Sequence, residues 1–380
     1  MGIYKFSLPE ILFGHGSLKY AGICARRLGA QKVFLVSDAG LERAGWVDKV
    51  FDILKGERLS WFYYANIVPN PRDFQVQEGA ALYREHGCDV VMALGGGSPM
   101  DAAKGIALVA GNGGNVQDYE GANRIERPLP PMVFMPSTAG SGSDISQFTI
   151  INDTRRHVKM SIISRTLVPN ISIVDPDVLT TKSRELIIAA AIDAMAHAVE
   201  AYVSRIAFPF TEFQSLKAID LIIKYLPEAL DSGSIEALEQ LSIASSAAAM
   251  AFSNASLGLD HALAHSLGGM LDTIHGLIHP VMLPPVMRYN LPACEEKLAD
   301  IGEIILGRRL RTSQLTALAA IERLEELCHG MDISSRLKDI VSDKAKLPQI
   351  CEMALNDACL LTNPRPVALE DMLQICEEAW

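Results

Sequence analysis

The sequence predicts an α/β half built on a mainly parallel sheet, followed by an all-helical half. Between residues 30 and 175, short β-rich runs alternate with helical patterns. From about Arg184 the texture changes to long Ala-, Leu- and Glu-rich stretches with helical spacing. The length agrees with a division: 380 residues, 49% hydrophobic and 21% charged, are more than one core usually organises.

The β-rich runs are "KVFLVSD" (32–38), "LSWFYYA" (59–65), "CDVVMALGG" (88–96), "PMVFMPS" (131–137) and "NISIVDP" (170–176). Separated by helical patterns, they read as βαβ units of a covered, Rossmann-like parallel sheet. In the helical half, "DSGS" (231–234) and "YNLPAC" (289–294) are turn signals. The texture changes near 178–184, so residues 1–182 form the first expected domain and 183–380 the second. "DVLTTKSREL" is too short for a flexible linker, and firm packing with a cleft between the domains is expected. No internal repeat or low-complexity tail interrupts either half.

A formal charge of −11 with dispersed Lys and Arg offers no basic face for a phosphate backbone, so nucleic acid is not an expected partner. "MGIYKFSLPEILFG" lacks the charged region, apolar run and cleavage site of a secretory signal. No stretch approaches the roughly 20 apolar residues a membrane helix needs, so the expectation is a soluble, cytoplasmic protein without a membrane partner. Seven scattered cysteines, an odd number without a CxxC pair, argue against a disulfide framework or thiolate metal cluster.

"VVMALGGGSPMDAAKGIAL" runs from a buried strand through Gly95, Gly96 and Gly97 into a helix. Ser98 fits the N-cap, Pro99 the first helical position and Asp101 the third, where a carboxylate suits exposed N–H groups. The glycines permit close approach of a ligand, and the helix N-terminus favours a phosphate or pyrophosphate. A tight strand-to-helix turn explains the same residues; the loop is neither GxGxxG nor a P-loop. Asp38 ends the first clear strand, where a carboxylate would accept ribose hydroxyls and repel a 2′-phosphate, favouring NAD over NADP. It fits a helix cap equally well. "PSTAGSGSDIS" (136–146) presents Ser137, Thr138, Ser141 and Ser143 on flexible backbone, suiting a nucleotide-facing loop or an ordinary polar turn.

In "AAAIDAMAHAVEAY" (189–202), Asp193 and His197 lie four apart on one face of an apolar helix. A carboxylate there is costly unless paired or coordinated. His261 and His265 repeat the spacing in "DHALAH", and His275 and His279 follow. A core hydrogen bond or a surface pair accounts for Asp193 and His197 alone, but becomes strained with four further imidazoles. Histidine nitrogen and carboxylate oxygen suit divalent iron or zinc, and spacing does not decide which histidines bind.

These motifs, together with "ILFGHGSL" (11–18), "VPNP" (68–71), "LVPNISIVDP" (167–176), "AFSNASLGLDHALAHSLGG" (251–269) and "TNPRP" (362–366), closely resemble those of the iron-containing (group III) alcohol dehydrogenases. The resemblance spans essentially the whole chain in order. It implies a nucleotide-binding α/β domain and a helical metal-binding domain, the architecture shared with dehydroquinate synthase, and a homodimer. It assigns Asp193, His197, His261 and His275 to a divalent metal, Fe2+ with Zn2+ as the alternative. His265 matches a histidine near nicotinamide and substrate. Gly96, Gly97 and Ser98 match the pyrophosphate loop with Asp101 at its helix start; Thr138 and Ser141 match nucleotide-contacting positions. Asp38 matches the acidic residue associated with NAD, and Lys159 and Leu179 fall near cofactor-side positions.

Several residues depart from the family pattern. "STAGSGSD" replaces a common "TTAGTGSE", "TKS" (181–183) replaces Met-Pro-Pro, and Ala191 replaces a Gly. His279 stands where members often have Asn, and Pro285 where many have His. If that wall faces substrate, specificity is altered; a His279 facing solvent or lying behind the ligands is the other reading. The resemblance implies reversible hydride transfer between NAD(H) and a small alcohol and its aldehyde or ketone. The metal would polarise oxygen, and the imidazole of His265 would suit a proton relay. The alternatives are a metal- and NAD-using polyol-phosphate dehydrogenase, a dehydroquinate synthase-like lyase, or a noncatalytic metal- or nucleotide-binding protein. Acidic substrates call for Lys or Arg near the metal, and the histidine-bearing segments have none.

Overall fold

A computed structural model describes residues 4–331, 333–334 and 336–380, which fall into two compact units: Ser7–Lys182, and Ser183–Trp380 together with residues 4–6. The α/β unit contains β1 (Glu10–Phe13), α1 (Ala21–Arg27), β2 (Lys32–Val36), α2 (Ala39–Arg43), α3 (Trp46–Gly56), β3 (Ser60–Tyr64) and α4 (Asp73–Glu85). It continues with β4 (Val90–Gly95), α5 (Gly97–Asn112), β5 (Gly121–Ala122), β6 (Met132–Pro136), β7 (Phe148–Asp153), β8 (Val158–Ile163) and β9 (Ile171–Val174).

Six strands form one wholly parallel sheet in the order β1-β9-β6-β4-β2-β3, with Val36 beside Ala93 and Gly95 beside Pro136. Alternation along each strand supplies two cores. Phe34, Val36, Val91, Ala93 and Phe134 face Val76, Ala80 and Ile106 of α4 and α5. Val33, Leu35, Met92, Leu94 and Met135 face Ala25, Val47 and Val50 of α1 and α3. Burial on both faces is why these strands read as continuous apolar runs. The connection from β2 leads to β3 on one side, while that from β4 leads to β6 on the other. The carboxyl ends of β2 and β4 therefore flank a topological switch point, where open α/β sheets bind ligands. A separate sheet, β5-β8-β7, contains an antiparallel pair.

The other unit contains α6 (Arg184–Val203), α7 (Pro209–Ser232), α8 (Ile235–Ala255), α9 (Leu259–Leu271), α10 (His279–Leu306), α11 (Ser313–His329), α12 (Leu347–Ala354) and α13 (Leu369–Ala379). No strand occurs in it among the described residues. The "DSGS" signal is a helix break: Gly233 adopts φ 62° at the end of α7, and Ser234 Oγ accepts from Ala237 N to start α8. "YNLPAC" likewise interrupts the helix: within α10 two helical stretches meet across a kink at Cys294 (φ −145°, ψ 37°), two residues after Pro292.

Two expectations are corrected. Residues 4–6 group with the helical unit: Tyr4 stacks on Phe208 at 4.8 Å and Phe6 meets it edge-on at 6.1 Å. Among the described residues one helix, α6, is long and apolar enough to cross a membrane, with a mean hydropathy of 1.6 over its best window. That window is 83% buried inside the protein, so its apolar surface is committed to packing.

Candidate functional site

In the helical unit, one carboxylate oxygen collects four imidazoles. Asp193 Oδ1 lies 3.2 Å from His279 Nε2, 3.6 Å from His197 Nε2, 3.6 Å from His261 Nε2 and 4.0 Å from His275 Nε2. α6 supplies Asp193 and His197 one turn apart, α9 supplies His261, a 3₁₀ turn at His275–Leu277 supplies His275, and His279 opens α10. Ligand atoms of Asp193, His261, His275 and His279 all lie within 4.8 Å of one another. His197 instead stacks on Phe252 at 4.2 Å and on His261 at 4.5 Å, its Nε2 still turned to Asp193. The expected residues Asp193, His197, His261 and His275 are thus gathered, and His279 joins them. It is fully buried, which removes the solvent-facing reading.

A second layer of carboxylates orients the rings. Glu200 Oε2 holds His261 Nδ1 at 2.6 Å, Asp260 Oδ2 holds His279 Nδ1 at 2.6 Å, and Asp357 Oδ2 holds His265 Nδ1 at 2.8 Å. Glu200 Oε1 also accepts from Asp260 N at 2.7 Å, fastening a first-turn amide of α9. Asn363, from "TNPRP", accepts from Leu259 N at 3.1 Å and pairs with Asn290 through two amide contacts. Glu200 and Asp260 escaped the sequence reading. Glu200 falls two turns after Asp193 within an apolar helix, and buried carboxylates at such spacing are the signal that could have found it.

The electrostatics follow from this crowding. Burial raises Asp193, but the surrounding imidazoles overcome it and hold the carboxyl well below the usual range. Burial lowers His279, and the Asp260 and Asp193 carboxylates outweigh it, bringing the imidazole up to about 10. Burial and the neighbouring His279 charge push His261 down to about 4. Burial lifts Glu200 to about 7. No Lys or Arg ion pair reaches Asp193, Glu200 or Asp260 among the described residues.

This donor set fits a divalent metal. Asp193 Oδ1 and His261 Nε2 are buried without a hydrogen-bond partner despite their proximity. Donors on one ion with bonds of about 2.1 Å stand about 3.0 to 4.2 Å apart, the range seen around Asp193. The carboxylate–imidazole pairs behind the cluster are the arrangement that fixes metal-binding rings. His265 lies beside it, its ring 5.3 Å from that of His275 and 5.9 Å from that of His261. His265, Asp357 and Cys359 also group closely. There the Nδ1 is already bonded to Asp357, and burial raises the Cys359 thiol well above its usual value.

In the α/β unit, the candidate glycine and hydroxyl loops follow the adjacent strands β4 and β6. A Cβ on Gly96 would stand 3.2 Å from Thr138 Cγ2, and one on Gly97 3.0 Å from Ser141 Cβ. The glycine loop after β4 and the hydroxyl loop after β6 are therefore in contact, and larger residues would separate them. α5 begins at Gly97 with Gly96 as its N-cap, not with Ser98 as expected; Ser98 Oγ accepts from Asn70 N at 3.2 Å instead. Asp101 does not face outward at the helix start. It is buried, its Oδ2 accepts from Ile150 N at 3.3 Å, and burial raises its pKa to about 6. Asp38 caps α2, its Oδ1 accepting from Gly40 N at 2.8 Å and Leu41 N at 3.0 Å. Lys159 sits half-buried on β8, and Leu179 is buried in a 3₁₀ turn, Pro176–Thr181.

Two family descriptions match the chain: iron-containing alcohol dehydrogenase over residues 9–176, and the C-terminal part of the Fe-containing alcohol dehydrogenase family over 187–380. A 1,3-propanediol dehydrogenase of Klebsiella pneumoniae is 37% identical over 388 residues, covering 100% of this chain and 99% of the relative. An NAD-dependent methanol dehydrogenase of Bacillus methanolicus is 36% identical over 379 residues, covering 98% and 99%. The crystal structure of a 1,3-propanediol oxidoreductase superposes with a TM-score of 0.96 at 36% identity, covering all of both chains.

Proposed function

Because the chain belongs to the iron-containing alcohol dehydrogenase family, we propose that it is a cytoplasmic, NAD-dependent enzyme interconverting a small alcohol and its aldehyde or ketone. The observation that carries this reading is the convergence of four imidazoles on Asp193 Oδ1, in a cluster that no thiolate, Lys or Arg joins among the described residues. Asp193, His197, His261 and His275 would hold Fe2+, with Zn2+ as the other ion such donors accept. An ion held there would supply Lewis acidity to a substrate oxygen, and NAD bound at the glycine loop would serve as the hydride acceptor. The relatives named for methanol and 1,3-propanediol favour a short primary alcohol or diol. Buried cysteines without a disulfide suit a reducing compartment, and the homodimer is carried forward from the resemblance.

Asp357 fixes the His265 tautomer, with Nδ1–H donating to the carboxylate and Nε2 left to accept and release the hydroxyl proton. Replacing His265 with Gln is expected to lower turnover about 100-fold while metal content stays at the wild-type level. Metal loss in that variant would instead make His265 a ligand. Gly96 and Gly97 admit the pyrophosphate to the start of α5. Asp38 caps α2 through Oδ1, which leaves Oδ2 for the adenosine ribose.

Asp38→Asn separates these roles, since Asn caps as well as Asp but does not repel a 2′-phosphate. Its kcat/KM with NADP should rise about tenfold, equivalent to about 1.4 kcal/mol, with unchanged thermal stability. Wild-type preference for NADP would remove the proposed role of Asp38.

The deciding experiment is an anaerobic, metal-reconstituted screen of alcohols with NAD and NADP and of aldehydes with NADH and NADPH. NAD-linked oxidation of short primary alcohols is expected. Bound metal and NAD without alcohol-dependent NADH formation across the panel would leave the noncatalytic reading. A polyol-phosphate dehydrogenase or dehydroquinate synthase-like lyase would show turnover only with anionic substrates.

A further inference from the structure

We propose, on the reading that Asp193 and its neighbouring imidazoles hold a metal ion, that His279 is a further protein donor to that ion through Nε2. The ion would then be held by one carboxylate and four histidines. Of the four imidazoles, His279 approaches Asp193 Oδ1 most closely, at 3.2 Å, and its Nε2 lies 3.3 Å from His275 Nε2. Asp193 Oδ1 is buried, and none of the four imidazoles meets it in hydrogen-bonding geometry. Ligand atoms of Asp193, His261, His275 and His279 all lie within 4.8 Å of one another, the spacing of donors around one cation.

The support of His279 is built like that of His261. Each has Nδ1 fixed at 2.6 Å by a buried carboxylate, Asp260 for His279 and Glu200 for His261. A ring whose Nδ1–H is donated to a carboxylate is a stronger ligand once a cation replaces the proton on Nε2. Asp260 and His279 are both fully buried, so neither serves solvation.

Metal affinity and coordination, read apart from turnover, test the inference. Chelator competition on the chain loaded with Zn2+ or Co2+ should show the dissociation constant rising at least about tenfold in His279→Asn, with a smaller rise in Asp260→Asn. The Co2+ visible spectrum should change in position and intensity in His279→Asn. Equal affinity and an identical spectrum in a folded His279→Asn variant would overturn the proposal.

A crystal structure of the Zn2+-loaded wild type decides the case if the variant does not fold. His279 Nε2 within about 2.0–2.3 Å of the ion supports the inference, and a separation beyond about 3 Å overturns it. A wild-type chain that binds an ion without His279 removes this inference alone. One that binds no ion removes the proposed function as well.

Discussion

Replacing Asp193 with Asn is expected to strip the chain of its metal and to lower alcohol turnover about a thousandfold. Asp193 is the one anionic donor among the clustered imidazoles, with His197, His261, His275 and His279 all within 4.0 Å of its Oδ1. The amide keeps the shape but removes the charge that anchors a divalent cation and offsets the imidazolium form of neighbouring rings. Several kcal/mol of transition-state stabilisation go with the Lewis acid, and each 1.36 kcal/mol is about tenfold in rate. Metal analysis beside steady-state kinetics checks this. A variant with full metal content and wild-type turnover would show that Asp193 serves packing alone.

Gly276→Ala should damage the same site without touching a ligand. A Cβ at Gly276 would clash with Ala189 O and stand 2.7 Å from Ala189 C, both backbone atoms of α6. Neither can swing aside, so the His275–Leu277 turn must move, and overpacking of this kind costs about 1–3 kcal/mol or more. His275 moves with the turn, and misplacing a catalytic group by about 1 Å is worth about 100-fold. The expected result is a lower melting temperature, reduced metal occupancy and about 100-fold slower turnover. Gly233→Ala is the control: Gly233 has φ 62° with nothing within 4 Å of the added Cβ, at the end of α7. It should lose about 1 kcal/mol through backbone strain alone and keep its metal. Equal metal loss in both variants would mean that general destabilisation, not the displaced turn, empties the site.

The parts of the fold that could be read in advance were those whose signal is local. Runs such as "CDVVMALGG" are apolar throughout because β4 is covered on both faces, and that is visible in one segment. The edge strand β1 and the β7–β8 pair were not anticipated. Their identity depends on partners: β1 pairs only with β9, which lies more than 150 residues away. The apolar length of α6 was passed over: it meets the length and hydropathy of a membrane span, although its residues are mostly buried inside the protein.

At the site, the sequence by itself determined the kind of chemistry. A carboxylate and an imidazole one turn apart in an alanine-rich helix, with clustered histidines in a second apolar segment, require a cation or a set of buried partners. Only the tertiary structure decided which atoms meet. It set Asp38 and the glycine loop at the ends of β2 and β4, turned Asp101 into the interior, and placed Glu200 and Asp260 behind His261 and His279. It also brought His279 into the cluster. Spacing along a helix records which side chains share a face, whereas the distance between faces of α6, α9 and α10 is set by packing, including the glycine contact at Ala189.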